Sequence, residues 1–246
     1  MKTTTKILVL PMLLFAVGVF LNSCSKDDNS SSKFECTTCV NVPDALAAND
    51  NSGKGMYKGI VVGSTGSLSI NIQNGTNMIT AVMVLDGTTI NLTSQVSYVE
   101  GQAYVAPFTG MYNGVPVTLN FSVGLSGANP TMISSDIPGH PNAVFNIYKE
   151  SSSSLIEAFE GTYSKTGESG TFNFILSRGL NKWGGVARKN GTGAETNEIN
   201  GTINSNNQLI VTENGVNIGT ISGDEINGQF KDNENNTITL KGKRTL

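Results

Sequence analysis

From Met56 to the C-terminus the chain returns to one pattern: apolar side chains at alternate positions for a few residues, then a turn. The clearest run is "VPVTLNFSV", in which Val115, Val117, Leu119, Phe121 and Val123 fall on one face. A period of two buries one side of a strand and wets the other, and it fits no helix. "SLSINI" at 67–72 repeats the pattern with Leu68, Ile70 and Ile72 in phase. "MITAVMVL" at 78–85 is more continuously apolar and stops at Asp86-Gly87, a strong hairpin signal.

Strands are likewise predicted in "TTINLTSQVSYV", "QAYVAPFTGMY", "AVFNIYKE", "GTYS", "TFNFIL" and "KWGGVARK". The series continues through "NEINGTIN", "QLIVTE", "NIGTIS", "EINGQF" and "TITLKGKR". Turn signals at Asn190-Gly191, Glu213-Asn214-Gly215, Gly223-Asp224 and Asp232-Asn233 separate the later ones at hairpin spacing. Pro107 lacks a ladder donor and argues for an edge, a bend or a bulge. Gly124 to Asn142 holds three prolines and breaks the rhythm, which predicts a long loop with one short strand at most and marks it as a candidate binding element. "SSSSLIEAF" reads as a short helix or as a polar linker into the next strand. The 28 glycines and the 14% charged residues suit many short strands joined by tight turns.

The two halves match at one offset. Gly63, Gly66, Gly75 and Gly87 lie 104 residues before Gly167, Gly170, Gly179 and Gly191, and Asn77 and Val82 meet Asn181 and Val186. Leu68, Ile70 and Ile72 meet Phe172, Phe174 and Leu176, so the same strand face stays apolar. The correspondence fades after Leu92. The expectation is an all-β chain: antiparallel meander or barrel-like modules with an internal duplication, over 55–149 and 159–246, either as successive domains or as parts of one large barrel. Closure is attractive because it removes unpaired strand edges. A transmembrane barrel would need longer strands with an apolar outer side, and segments such as "NEINGTINSNNQ" are too polar for that.

The N-terminus is of another kind. Lys2 and Lys6 precede the apolar run Ile7–Leu21, which contains Pro11. At about 1.5 Å per residue this run is short for a bilayer span, and no positive flank follows, so it reads as an export signal over 1–23. Leu21-Asn22-Ser23-Cys24 resembles the lipobox of bacterial lipoproteins, and Ser25-Lys26-Asp27-Asp28 is similar to the signal that sends Bacteroidota lipoproteins to the outer face of the outer membrane. The resemblance covers about the first thirty residues and implies cleavage before Cys24 and acylation of that cysteine, palmitate included. Each buried methylene then adds about 0.8 kcal/mol of anchoring. Residues 24–54 are expected to be a lipidated flexible leader that carries Cys36 and Cys39.

"CTTC" in an exported chain reads as a small structural disulfide between Cys36 and Cys39 or as an idle pair. A redox pair would need a following helix in a βαβ setting, and a zinc site would need more ligands.

The net charge of −3 and the lack of a basic stripe argue against nucleic acid as a partner. His140, in "PGHPN", is the only histidine, and no nucleophile motif accompanies it. Asp86, Glu100, Asp136, Glu150, Glu157, Glu160 and Glu198 are available for carboxylate chemistry. "DNENN" and "SGDE" read as turns rather than calcium loops. Trp183, Tyr104, Tyr112 and His140 are the candidate binding residues, since exposed rings stack on sugars. No metal or cofactor is implied. The expected role is a non-catalytic surface lipoprotein of the cell outer membrane that binds glycan or an envelope protein. A barrel carrier of a small apolar ligand and a carboxylate-dependent polysaccharide-active enzyme are the alternatives.

Overall fold

The computed structural model describes residues 33–62, 65–191 and 195–246. The signal segment, Cys24 and Gly63 of the repeat lie outside the described residues.

The described chain is built of antiparallel strands, with two three-residue 3-10 turns at Ala47–Asn49 and Leu125–Gly127 as its helical elements. Eight strands form the first sheet: β1 (Gly55–Val62), β2 (Gly66–Ile72), β3 (Ile79–Leu85), β4 (Thr88–Thr93), β5 (Tyr104–Tyr112), β6 (Val115–Val123), β7 (Thr131–Asp136) and β8 (Val144–Lys149). Their order is β7-β6-β5-β4-β3-β2-β1-β8, and the two end strands come together without a ladder between them, which gives a barrel-like sheet. The second set is β9 (Ile156–Lys165), β10 (Glu168–Ser177), β11 (Lys182–Lys189), β12 (Thr196–Ile203), β13 (Gln208–Val211), β14 (Asn217–Ser222), β15 (Glu225–Lys231) and β16 (Thr237–Arg244). These close into a barrel, with β9 bonded to both β16 and β10.

The predicted alternation fills each interior. Leu68, Ile70, Ile72, Met83, Leu119 and Phe121 point into the first core, where the Tyr57 and Phe121 rings meet edge to face at 5.5 Å. Phe159, Phe172, Phe174, Leu176, Trp183 and Leu240 fill the second. Burying one such side chain contributes about 1.5–3 kcal/mol. Outward positions such as Glu198, Lys241 and Lys243 are exposed, the reverse of a barrel that faces lipid.

The duplication is visible as register. Gly66 pairs with Leu85 and Leu68 with Met83; 104 residues on, Gly170 pairs with Lys189 and Phe172 with Ala187. The paired glycines meet the same constraint. A Cβ on Gly66 would lie 2.5 Å from the Val84 carbonyl oxygen, and one on Gly170 would lie 2.2 Å from that of Arg188. The match is lost at the next connection, where the Asp86-Gly87 turn is replaced by the longer 190–195 segment.

β1 has both faces buried, so "GMYKGIVV" does not alternate. Tyr57 and Val61 enter the first core, while Ile60 and Val62 pack outward against Ile156, Ala158, Ile175 and Val186 of the second barrel. Pro107 lies in β5 opposite Asn120 of β6. β4 reaches β5 only at Thr109 and Gly110, so the missing donor of Pro107 falls on a locally free edge.

One expectation is corrected. Residues 33–54, expected to be a flexible leader, are tied to both barrels. The Cys36 N–H donates to Asp224 Oδ2 at 2.8 Å, Arg244 Nη1 donates to Asn41 Oδ1 at 3.0 Å, and the Leu46 N–H donates to Asn74 Oδ1 at 3.0 Å. Ala45 is buried. A polar composition suggests flexibility only while the acceptors for its backbone are unknown, and some of these lie nearly two hundred residues away. The 124–142 stretch holds the one short strand that its sequence allowed: β7 runs through it and pairs with β6, with a register shift between Asn120 and Phe121. Its place is hard to read from sequence because β7 is an edge strand with few buried side chains.

Candidate functional site: a cleft between the barrels

A cleft of about 870 Å³ opens where β8 and the following linker lean over the second barrel. Its floor is the outer face of β10, β11 and β12. Trp183 points inward, so Lys182 and Gly184 point outward. Pairing sets them in two cross-strand rows, Ile175–Gly184–Asn200 and Ser177–Lys182–Thr202. Thr212 extends the floor, its N–H donating to the Asn200 carbonyl at 3.0 Å.

The opposing wall is Tyr148. In "VFNIYK" Phe145 and Ile147 turn toward the first core, which sends Tyr148 out of phase and outward, 47% exposed. Its hydroxyl would sit 3.9 Å from a Cβ on Gly184, so the glycine leaves a flat opening beneath the ring. Leu180, 66% exposed, forms an apolar lip in the β10–β11 turn.

Polar contacts fix the linker that carries this wall. Glu150 is fully buried. It accepts from Lys58 Nζ at 2.8 Å and from the N–H groups of Asp44, Ala45 and Ile156 at 2.8, 3.2 and 3.0 Å. Asp50 accepts from the Ser152 N–H at 2.8 Å and from its hydroxyl at 2.7 Å, and these bonds hold its carboxyl below the usual range. Lys149 Nζ donates to the carbonyls of Asn49, Asp50 and Ser52, and burial lowers its pKa. The hydroxyls of Ser154 and Ser177 meet at 2.6 Å and join linker to floor.

The sequence-derived candidates are dispersed. Trp183 borders the cleft, but its ring is a core element, 3% exposed and 5.0 Å from the Phe174 ring, with Nε1 buried and unbonded. Tyr104 is buried too, its hydroxyl donating to Val96 O at 3.0 Å and bonded to Ser94 Oγ at 3.2 Å. Neither ring is placed to stack on a ligand, because the alternation that recommends an aromatic also sends it inward. Tyr112 packs against the first core with its ring 6.0 Å from that of His140. His140 lies with Nε2 3.4 Å from Asp86 Oδ2, away from the cleft. Cys36 and Cys39 are joined by a disulfide.

Of the acids, Glu157 is held by Arg178 and Arg244. Glu160 lies near Asp86, and burial, then that charge, raises its pKa. Asp232 closes the "DNENN" turn by accepting from Glu234 and Asn236, which with Lys165 keeps its carboxyl at about 2. Among the described residues no cluster has the ligand set for a metal ion.

Tyr148 is an aromatic ring of the sequence that is not among the four candidate binding residues, and Gly184 and Lys182 are not candidates either. The signals were the out-of-phase tyrosine beside Ile147 and the paired glycines within a strand, a pattern that marks close approach of another group. No family model, curated protein or solved structure matches this chain.

Proposed function

We propose that this protein is a lipid-anchored outer-membrane surface protein that binds glycan, without catalysis, in the cleft between its barrels. The exposed Tyr148 ring over the Gly184 opening carries the reading. A sugar ring offers an apolar face to an aromatic ring and hydroxyls at its rim. The amide of Asn200 and the hydroxyls of Thr202 and Thr212 line the same cleft. The wall and floor are fixed before a ligand arrives, which lowers the ordering cost of binding. Anchoring rests on the Leu21–Asp28 sequence around Cys24.

The alternatives find less support. Phenylalanine rings fill the centre of the second barrel, where a carrier would hold its cargo. The two acids in the cleft, Asp50 and Glu150, are both committed to structural hydrogen bonds.

A glycan array probed with the full-length protein in detergent should show binding that Tyr148→Ala removes. No binding to any surface or environmental polysaccharide would defeat the reading. Palmitate labelling should require Cys24; membrane association that survives Cys24→Ala would defeat the anchoring.

A further inference from the structure

We infer that the glycan taken by the cleft is acidic, its charge carried as a uronate carboxylate or a sulfate ester and met by Lys182. The inference rests on the glycan reading above and concerns which sugars the cleft selects.

Four charged side chains line the cleft: Asp50, Lys149, Glu150 and Lys182. Three are spent. Asp50 is bound by Ser152, Lys149 is capped by three backbone carbonyls, and Glu150 is saturated by Lys58 and three backbone N–H groups. Spent charges offer a ligand little, because binding would first have to break the bonds they make. Lys182 is different. It is exposed and projects from the floor between Ser177 and Thr202, and its ammonium makes no hydrogen bond or ion pair among the described residues.

Position strengthens the case. Lys182 and Gly184 stand on the same side of β11, one row apart. A ring lying under Tyr148 over Gly184 therefore presents its substituents to the Lys182 ammonium. An ammonium is a point charge on a flexible stem and accepts carboxylate and sulfate alike. The chain carries a net charge of −3, so general attraction does not draw an anion here. The preference has to come from this one local cation.

The test is calorimetric titration of the full-length protein in detergent with oligogalacturonides, sulfated galactan fragments and neutral galactan fragments of equal length. At low salt the acidic sugars should bind about three- to fivefold tighter than the neutral one, the range of a single exposed ion pair. The advantage should shrink as salt rises. Whichever acidic arm shows it identifies the source of the charge. Lys182→Gln should erase the advantage, bringing the acidic fragments to the affinity of the neutral one, whereas Tyr148→Ala should weaken all three. Equal binding of neutral and acidic fragments, or an acid preference that survives Lys182→Gln, overturns the inference while the glycan reading stands. If no fragment of either charge binds and Tyr148→Ala changes nothing, the glycan reading falls and the inference with it.

Discussion

Lys58, on the outward face of β1, and Glu150, the first residue after β8, form an ion pair of 2.8 Å from which water is excluded on both sides. Asp44 of the N-terminal segment reaches the same ammonium at 2.9 Å, and the Ile156 N–H at the start of β9 donates to the same carboxylate. One buried pair therefore gathers the segment before β1, both barrels and the linker that positions the Tyr148 wall.

Removing either partner leaves the other buried with fewer partners, and breaking a buried pair costs about 3–5 kcal/mol. Glu150→Ala should lie at the top of that range, since it leaves Lys58 with Asp44 alone and strips three backbone N–H groups of their acceptor. Lys58→Met should cost less, because Glu150 keeps its backbone donors. Urea unfolding midpoints give the ranking, and a reversed order would contradict this account of the pair.

The segment before β1 should contribute measurably to stability. A chain that starts at Gly55 lacks two donors to Glu150 and the three carbonyls that cap Lys149. Hydrogen bonds to charged groups are worth about 1.5–3 kcal/mol each, so it should melt well below a chain that starts at Lys33. Equal melting temperatures would return the segment to the status of a loose leader.

Neighbouring glycines on β11 should behave in opposite ways. A Cβ on Gly184 finds its nearest neighbours at 3.6 Å, whereas one on Gly185 would lie 2.1 Å from the Asn173 carbonyl oxygen. Gly184→Leu should keep the melting temperature and fill the cleft, abolishing glycan binding. Gly185→Ala should destabilise the barrel by about 1–3 kcal/mol, as overpacking does. Thermal melts and glycan titration of the two variants separate the effects.

Glu160 should make the fold less stable as pH rises from acid to neutral. Burial and the Asp86 charge hold its folded pKa above the unfolded value. Below the unfolded pKa the group is neutral in both states and costs nothing. Above it the unfolded chain ionises first, and the penalty grows until pH passes the raised folded value. Glu160→Gln should therefore raise the melting temperature at pH 7.5 and leave it unchanged at pH 3.5. A gain of equal size at both values would point to packing rather than charge.

Fold class was legible because strand alternation is local. Val115 to Val123 announce a buried face from their own spacing, and the offset of 104 residues between glycines reappears as shared register between β2–β3 and β10–β11. β7 was hard to see for the opposite reason: an edge strand buries little, so "TMISSD" carries almost no pattern. Trp183 and Tyr104 differ from β7 in lying on strands with buried positions, and alternation sends their rings into the cores.

The order of turns and the phase of each strand determined that this chain would fold as repeated antiparallel β modules, since both follow from neighbours a few residues apart. Which outward faces would meet was decided only in three dimensions. Tyr148 and Gly184 are 36 residues apart and belong to different barrels. They face each other because Ile60 and Val62 needed cover, and because a buried lysine and glutamate locked that packing in place.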